Sequence, residues 1–167
     1  MGALVVNPSA GVGAFSGRFA PNGKLIVSET GSTISAISSY TVNSNGTLSA
    51  VTQSLTTNGA ANCWNAITPN GAFVYASNAG TSNISGFSIG KNGALTALNS
   101  SSIVASNPEN ATNLDITISG DGKFFYSLNA MVGTVGVFAI QPNGTLLEVD
   151  EIPGFTAAEG FNGIAAL

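Results

Sequence analysis

The chain has 167 residues and a net charge of −4, and only 7% of its residues are charged, against roughly 25% in ordinary globular domains. A hydrophobic fraction of 44% excludes a disordered chain, because disorder requires low hydrophobicity and high net charge.

The chain has only four basic residues, which are too few to form a basic patch, so we expect no nucleic-acid partner. No apolar run reaches the roughly 18 residues of a membrane helix, so we expect no membrane association. The sequence contains no histidine, which excludes His-dependent chemistry from these residues, and we expect no cofactor and no metal.

Two turn motifs recur in fixed phase along the chain. The first is an Asn-Gly or Asp-Gly pair followed by an apolar run, and its glycines are about 50 residues apart. A second Asn-Gly pair follows each of them at a nearly constant spacing. These dipeptides supply the positive φ angles that tight hairpin turns require. The glycines of the two motifs are Gly23, Gly71 and Gly122, and Gly46, Gly93 and Gly144.

Each repeat predicts four strands. Residues 3–7 predict the outer strand of a unit whose other strands are missing. Three complete units follow at residues 14–61, 62–112 and 113–161, each with an inner strand, an apolar second strand, an alternating third strand and a short edge strand. Residues 162–167 align with the inner strand at 63–68 and predict a further inner strand.

Four strands in about 50 residues are typical of one β-propeller blade. The predicted fold class is therefore all-β, an arc of three four-stranded blades with an extra strand at each end. Such an arc cannot close on itself, because propellers typically have about four to eight blades. We therefore expect either self-association or a missing N-terminal half.

Residues 74–78 (VYASN) and 125–129 (FYSLN) resemble the YVTN repeat of the lactonase family of seven-bladed propellers. That family includes 6-phosphogluconolactonase-like and carboxymuconate-cyclase-like proteins. Residues 61–71 look similar to a segment of bacterial and fungal members, and residues 162–166 look similar to the C-terminus of the family. The resemblance implies the C-terminal half of a seven-bladed ring. It also implies hydrolysis of a sugar lactone or the reverse lactonisation, with a lactone or carbohydrate acid as the small-molecule partner.

Three charged residues are candidates for catalysis. Glu29 stands where the other copies have Asn78 and Asn129, and it could act as a general base or be a solvated carboxylate at a loop. Arg18, on an inner strand, could bind a carboxylate or phosphate with two hydrogen bonds, or could pair with Glu29 at the rim. Asp115, on the third inner strand, is a second acidic candidate or a structural Asp. The catalytic hypothesis requires all three to converge on one mouth of the channel.

The cyclase-like members are thought to use His, Arg and Glu, and the absence of histidine here departs from that pattern. A non-catalytic propeller that binds a ligand or protein therefore stays open as an alternative, as does a structural module that assembles through its edges. Cys63, the only cysteine, has no base or cation close to it in the sequence, which favours a packing role. A surface rich in Asn, Ser and Thr favours an extracellular or periplasmic location, with the cytoplasm left open.

Overall fold

Thirteen β-strands and no helix make up the computed structural model, which describes residues 3–167. In chain order the strands are β1 (Ala14–Phe19), β2 (Leu25–Glu29), β3 (Ala36–Val42), β4 (Leu48–Thr56), β5 (Asn62–Ile67), β6 (Phe73–Asn78), β7 (Asn83–Ile89), β8 (Leu95–Ala97), β9 (Ile103–Ser106), β10 (Asn113–Ile118), β11 (Phe124–Asn129), β12 (Thr134–Ile140) and β13 (Leu146–Pro153). No helix among the described residues is long and apolar enough to cross a membrane.

The strands form three antiparallel sheets, which confirms the predicted fold class. Blade 1 has the order β1-β2-β3-β4, and blade 3 has the order β10-β11-β12-β13. In blade 2 the order is β5-β6-β7-β8, and β9 also pairs with β7. Since β8 lies opposite one half of β7 and β9 opposite the other, the outer strand of this blade is divided in two by a loop.

The repeated glycines sit in the turns as the sequence predicts. Between the inner and second strands, Gly23, Gly71 and Gly122 have φ angles of 77°, 69° and 72°. Each donates its N–H to the carbonyl three residues earlier, as Gly71 does to Thr68 at 2.8 Å. A side chain is strained at such φ angles, so this turn chemistry sets the register of the hairpin that follows.

The core lies between the blades rather than within any one sheet. One cluster joins blades 1 and 2 around Ile37, Val74 and Phe87, and another joins blades 2 and 3 around Tyr75 and Phe125. The rings of Tyr75 and Phe125 meet edge to face with centroids 5.3 Å apart. Burying each of these large side chains contributes about 2–3 kcal/mol, so the blades stabilise one another as neighbours.

The two terminal segments differ from the sequence prediction, because residues 3–7 and 162–167 form no strand. Each was predicted as one strand of an otherwise missing blade. A β-strand needs a neighbour paired along its backbone, and within residues 3–167 no strand pairs with either segment. The extra strand that does occur is β9, inside blade 2.

Candidate functional site

Arg18 lies at a cavity formed where the three inner strands end. The side chain is exposed, and the cavity has a volume of about 330 Å³. Strand β1 pairs antiparallel with β2, with Arg18 opposite Ile26. The lining consists of Arg18, Phe19, Ala66, Ile67, Pro69, Ile116, Thr117, Ile118, Ser119 and Gly120. A guanidinium at an apolar rim is suited to bind an anion, because it offers several fixed N–H donors to carboxylate or phosphate oxygens.

The apolar part of this lining repeats from blade to blade. Phe19, Ile67 and Ile118 each occupy the last position of an inner strand, and Phe19 is 65% exposed. Sequence reasoning missed these residues as lining groups. Aligning the three inner strands to their last residue would have found them, since equivalent positions must meet around a common channel.

Glu29 lies at the opposite end of blade 1 from Arg18. Its register partner on β1 is Ala14, four residues before Arg18, which corresponds to a separation of about 13 Å along the strand. The Glu29 side chain is 1% exposed. It borders a second cavity of about 600 Å³, and Arg18 is not among the residues that line it.

The carboxylate of Glu29 accepts four hydrogen bonds. Oε1 accepts from the Ser9 hydroxyl at 3.0 Å, the Gly11 N–H at 2.9 Å and the Ser38 hydroxyl at 2.7 Å. Oε2 accepts from the Ser54 hydroxyl at 2.8 Å. These donors satisfy a carboxylate that would otherwise be costly to bury. The arrangement ties residues 9–11 to blade 1.

Asp115 stands apart from both cavities, beside the C-terminal segment. Its Oδ1 accepts the N–H of Ile116 at 2.8 Å, and its Oδ2 accepts the N–H of Ile164 at 3.1 Å. The structure therefore does not bring Arg18, Glu29 and Asp115 together at one mouth. Their catalytic roles stay a prediction, and the geometry gives Glu29 and Asp115 structural partners instead.

Cys63 lies half-buried at the start of β5. Burial raises the pKa of its thiol, and a hydrogen bond with the side chain of Thr30 lowers it by less. A thiol held in its neutral form is a weak nucleophile. Among residues 3–167, no group of three or more Cys, Asp or Glu side chains is arranged to hold a metal ion.

The repeated four-stranded sheets, joined face to face around inner strands, define this protein as part of a β-propeller. The family model for the lactonase 7-bladed β-propeller matches residues 18–158. The chain belongs to this lactonase family. A search of curated proteins found no match.

Solved structures support the fold. A protein from Lactobacillus plantarum is similar at 24% identity and a TM-score of 0.69, covering 84% of this chain and 41% of that one. A periplasmic gluconolactonase from Pseudomonas aeruginosa is similar at 21% identity and a TM-score of 0.68, covering 88% and 43%. A functionally unknown protein from Desulfotomaculum acetoxidans is similar at 22% identity and a TM-score of 0.72, covering 86% and 43%. This chain thus spans about two-fifths of the length of these proteins.

Proposed function

We propose that these three blades carry the anion-binding side of the channel in a propeller that hydrolyses a sugar lactone or catalyses the reverse lactonisation. The observation that carries the proposal is the exposed guanidinium of Arg18 at the mouth formed by the inner strands. The family supports it. So does the likeness to a periplasmic gluconolactonase, which is also consistent with an extracellular or periplasmic location.

Hydrolysis of a lactone converts a neutral ring ester into a hydroxy acid. Water adds to the ester carbonyl, the ring C–O bond breaks, and the alkoxide takes up a proton while the new carboxylic acid loses one. Arg18 can hold the resulting carboxylate, or a phosphate carried by the sugar, through paired N–H donors. The lining of the Arg18 cavity includes no Asp or Glu. We therefore assign the general base to a part of the ring outside these blades.

The proposal includes closure of the ring around the channel. Large apolar side chains are exposed at both ends of the arc, where a complete ring would cover them with neighbouring blades. At the N-terminal end these include Leu4 and Val12, and at the C-terminal end they include Phe155 and Phe161. Further blades, from another segment or another chain, would complete the channel and supply the missing groups.

A non-catalytic propeller that binds an anionic small molecule is the second candidate. The composition of the Arg18 cavity favours it, because Arg18 is the only lining residue with an ionisable side chain. Such a cavity can bind an acid without activating water. Both candidate functions assign anion binding to Arg18, and they differ only in whether the bound molecule is converted.

Calorimetric titration with a sugar acid, together with proton release from its δ-lactone in a pH-stat, tests both candidates. We expect Arg18→Gln to weaken binding of the acid by about 10-fold or more, and Arg18→Lys to weaken it less, because lysine keeps the charge and loses the paired donors. Lys91→Gln is the matched control, since Lys91 is also an exposed cation and does not line the cavity.

Proton release above the spontaneous rate, together with binding, supports the enzyme. Because the general base is assigned outside these blades, turnover is compared in the protein with a closed ring, and binding there without such release supports the second candidate. Equal affinity in the wild-type and Arg18→Gln chains contradicts both.

A further inference from the structure

Seven Asn-Gly pairs occur along the chain, and the asparagine of each pair is exposed. These asparagines are Asn22, Asn45, Asn58, Asn70, Asn92, Asn143 and Asn162. Such a pair can react within itself, because the backbone nitrogen of the glycine can attack the side-chain carbonyl carbon of the asparagine, and glycine has no side chain to obstruct the approach. Since all seven asparagines are exposed, the hydrogen bonds of the two reacting groups decide which pair reacts.

In five of the pairs a turn holds both reacting groups. The glycine N–H donates to a carbonyl three residues earlier, as Gly93 does to Gly90 at 2.8 Å. The asparagine Oδ1 accepts the N–H two residues later, as Asn92 does from Ala94 at 3.1 Å. The same two bonds occur at Asn22, Asn45, Asn70 and Asn143. The glycine nitrogen has to lose its proton and the side chain has to rotate before attack, so these turns must open first.

The sixth pair, Asn58-Gly59, is held by different partners. Nδ2 of Asn58 donates to the carbonyl of Ser101 at 3.1 Å, and the N–H of Gly59 donates to the hydroxyl of Thr57 at 3.4 Å. Gly59 is also buried. This pair, too, has to open before it reacts.

Asn162-Gly163 differs from the other six pairs. Within residues 3–167 neither the side chain of Asn162 nor the N–H of Gly163 has a hydrogen-bond partner. Both residues are exposed, and a Cβ added to Gly163 would meet no atom within 4 Å. The next residue, Ile164, donates its N–H to Asp115 at 3.1 Å, so the backbone is bonded again directly after the pair. The Asn162 side chain therefore has room to turn onto a free backbone nitrogen.

We propose that Asn162 is a site of spontaneous modification, which converts to aspartate and isoaspartate faster than the other six Asn-Gly pairs. The nitrogen of Gly163 loses its proton to solvent hydroxide and bonds to Cγ of Asn162, and the side-chain amide group leaves as ammonia. Water then opens the five-membered imide. Cleavage of the new C–N bond gives aspartate, and cleavage of the original peptide C–N bond gives isoaspartate. Either product adds a negative charge, and isoaspartate also lengthens the main chain by one carbon before the contact of Ile164 with Asp115.

Incubation of the purified chain in mildly alkaline buffer, followed by digestion and mass spectrometry, tests the proposal. Cleavage after lysine, arginine and glutamate places single Asn-Gly pairs in the peptides 19–24, 92–109, 124–148 and 160–167. Each conversion replaces an NH2 group by OH, which changes the peptide mass. We expect peptide 160–167 to convert about 10-fold faster than the other three, because its reacting groups have no hydrogen bonds to break first. Equal rates in the folded chain overturn the proposal.

The same incubation in urea separates the effect of the fold from that of the local sequence. Unfolding removes the hydrogen bonds of the turns, so we expect the other three peptides to speed up until all four convert at similar rates. A preference for Asn162 that persists unchanged in urea overturns the proposal.

Gly163→Ala is the matched variant. Its Cβ meets nothing within 4 Å, so the fold is unaffected, but the added methyl group obstructs attack by the backbone nitrogen. We expect conversion at residue 162 to slow by about 10-fold in the folded chain and the other peptides to convert as before. An unchanged rate at residue 162 overturns the proposal, because the nitrogen of Gly163 is then not the attacking atom.

Discussion

Blades 1 and 3 each have a carboxylate at the same corner, where the last side chain of the second strand meets a side chain of the outer strand. The carboxylate belongs to a different strand in each blade. In blade 1 Glu29 ends the second strand, and its neutral partner Ser54 is on the outer strand. In blade 3 the second strand ends in Asn129, and the outer strand supplies the carboxylate, Glu151, whose Oε1 accepts from Asn129 at 2.9 Å. The acidic and neutral members of the pair have exchanged strands. The repeat thus preserves one polar pair at this corner and not the residue type at each position.

The two corners differ in how completely they are bonded. All four hydrogen bonds to Glu29 come from hydroxyl or backbone donors, two of them on residues 9–11. In blade 3 the Thr134 hydroxyl also donates to Oε1 of Glu151, but the buried Oε2 has no partner among the described residues. Asn107, in the segment that leads into blade 3, approaches the same point of Gly136 as Glu151 does and is 9% exposed, and its side-chain amide makes no hydrogen bond among the described residues. The segment that precedes the inner strand is therefore hydrogen-bonded to this corner in blade 1, through residues 9–11. In blade 3 the corresponding segment, with Asn107, only packs against the corner.

Removing each carboxylate tests this comparison most strongly. We expect Glu29→Ala to lower the free energy of unfolding by about 3 kcal/mol, because it leaves four donors without their acceptor in a buried corner. Glu151→Ala should cost about 1 kcal/mol, because only its Oε1 is bonded. Urea unfolding of both variants measures the difference. Equal losses would contradict the view that the blade 1 corner is the better bonded one.

The departure of Glu29 from the repeat was visible in the sequence, but its cause was not. A lone carboxylate among equivalent asparagines is consistent with catalysis or with a solvated carboxylate at a loop, and the second interpretation is wrong, because Glu29 is buried and accepts four hydrogen bonds. The deciding donors, Ser9, Ser38 and Ser54, come from three separate segments whose convergence depends on tertiary packing. The strands and turns were predictable because glycine positions and alternation are local properties. The cavity that Arg18 lines and the partners of Asp115 were not, since they depend on how the blades stack.

Gly11 gives a second test, directed at the attachment of residues 9–11. A Cβ on Gly11 would overlap Oε2 of Glu29 and the hydroxyl of Ser54, so we expect Gly11→Ala to cost about 2 kcal/mol. Gly163→Ala is the matched control, because a Cβ there meets nothing within 4 Å. In a Glu29→Ala background the cost of Gly11→Ala should shrink by more than half, because one of the two clashing groups is gone and the Ser54 hydroxyl is no longer held in place by Oε2 of Glu29. An unchanged cost in the double variant would show that Gly11 and Glu29 are not coupled.

The smallest expected effect concerns how neighbouring blades are joined, and it depends on pH. Ser39 joins blade 1 to blade 2 through a hydrogen bond to the carbonyl of Gly93 at 2.7 Å, and Tyr75 joins blade 2 to blade 3 through the carbonyl of Gly144 at 2.9 Å. Only the second donor titrates, and burial raises the pKa of Tyr75 above its usual value.

Since an unfolded tyrosine ionises near pH ~10 and the folded one ionises later, the contribution of Tyr75 to stability is complete below that pH and is lost as the pH rises above it. Tyr75→Phe should cost about 1 kcal/mol at neutral pH through the lost hydrogen bond, and it should flatten the fall in stability above pH ~10. Ser39→Ala, the matched control, should cost a similar amount at neutral pH and leave the alkaline slope unchanged. Thermal unfolding from pH ~8 to ~11 distinguishes the two variants. If the stability of both variants falls with pH at the same slope, Tyr75 is not the titrating contact between the blades.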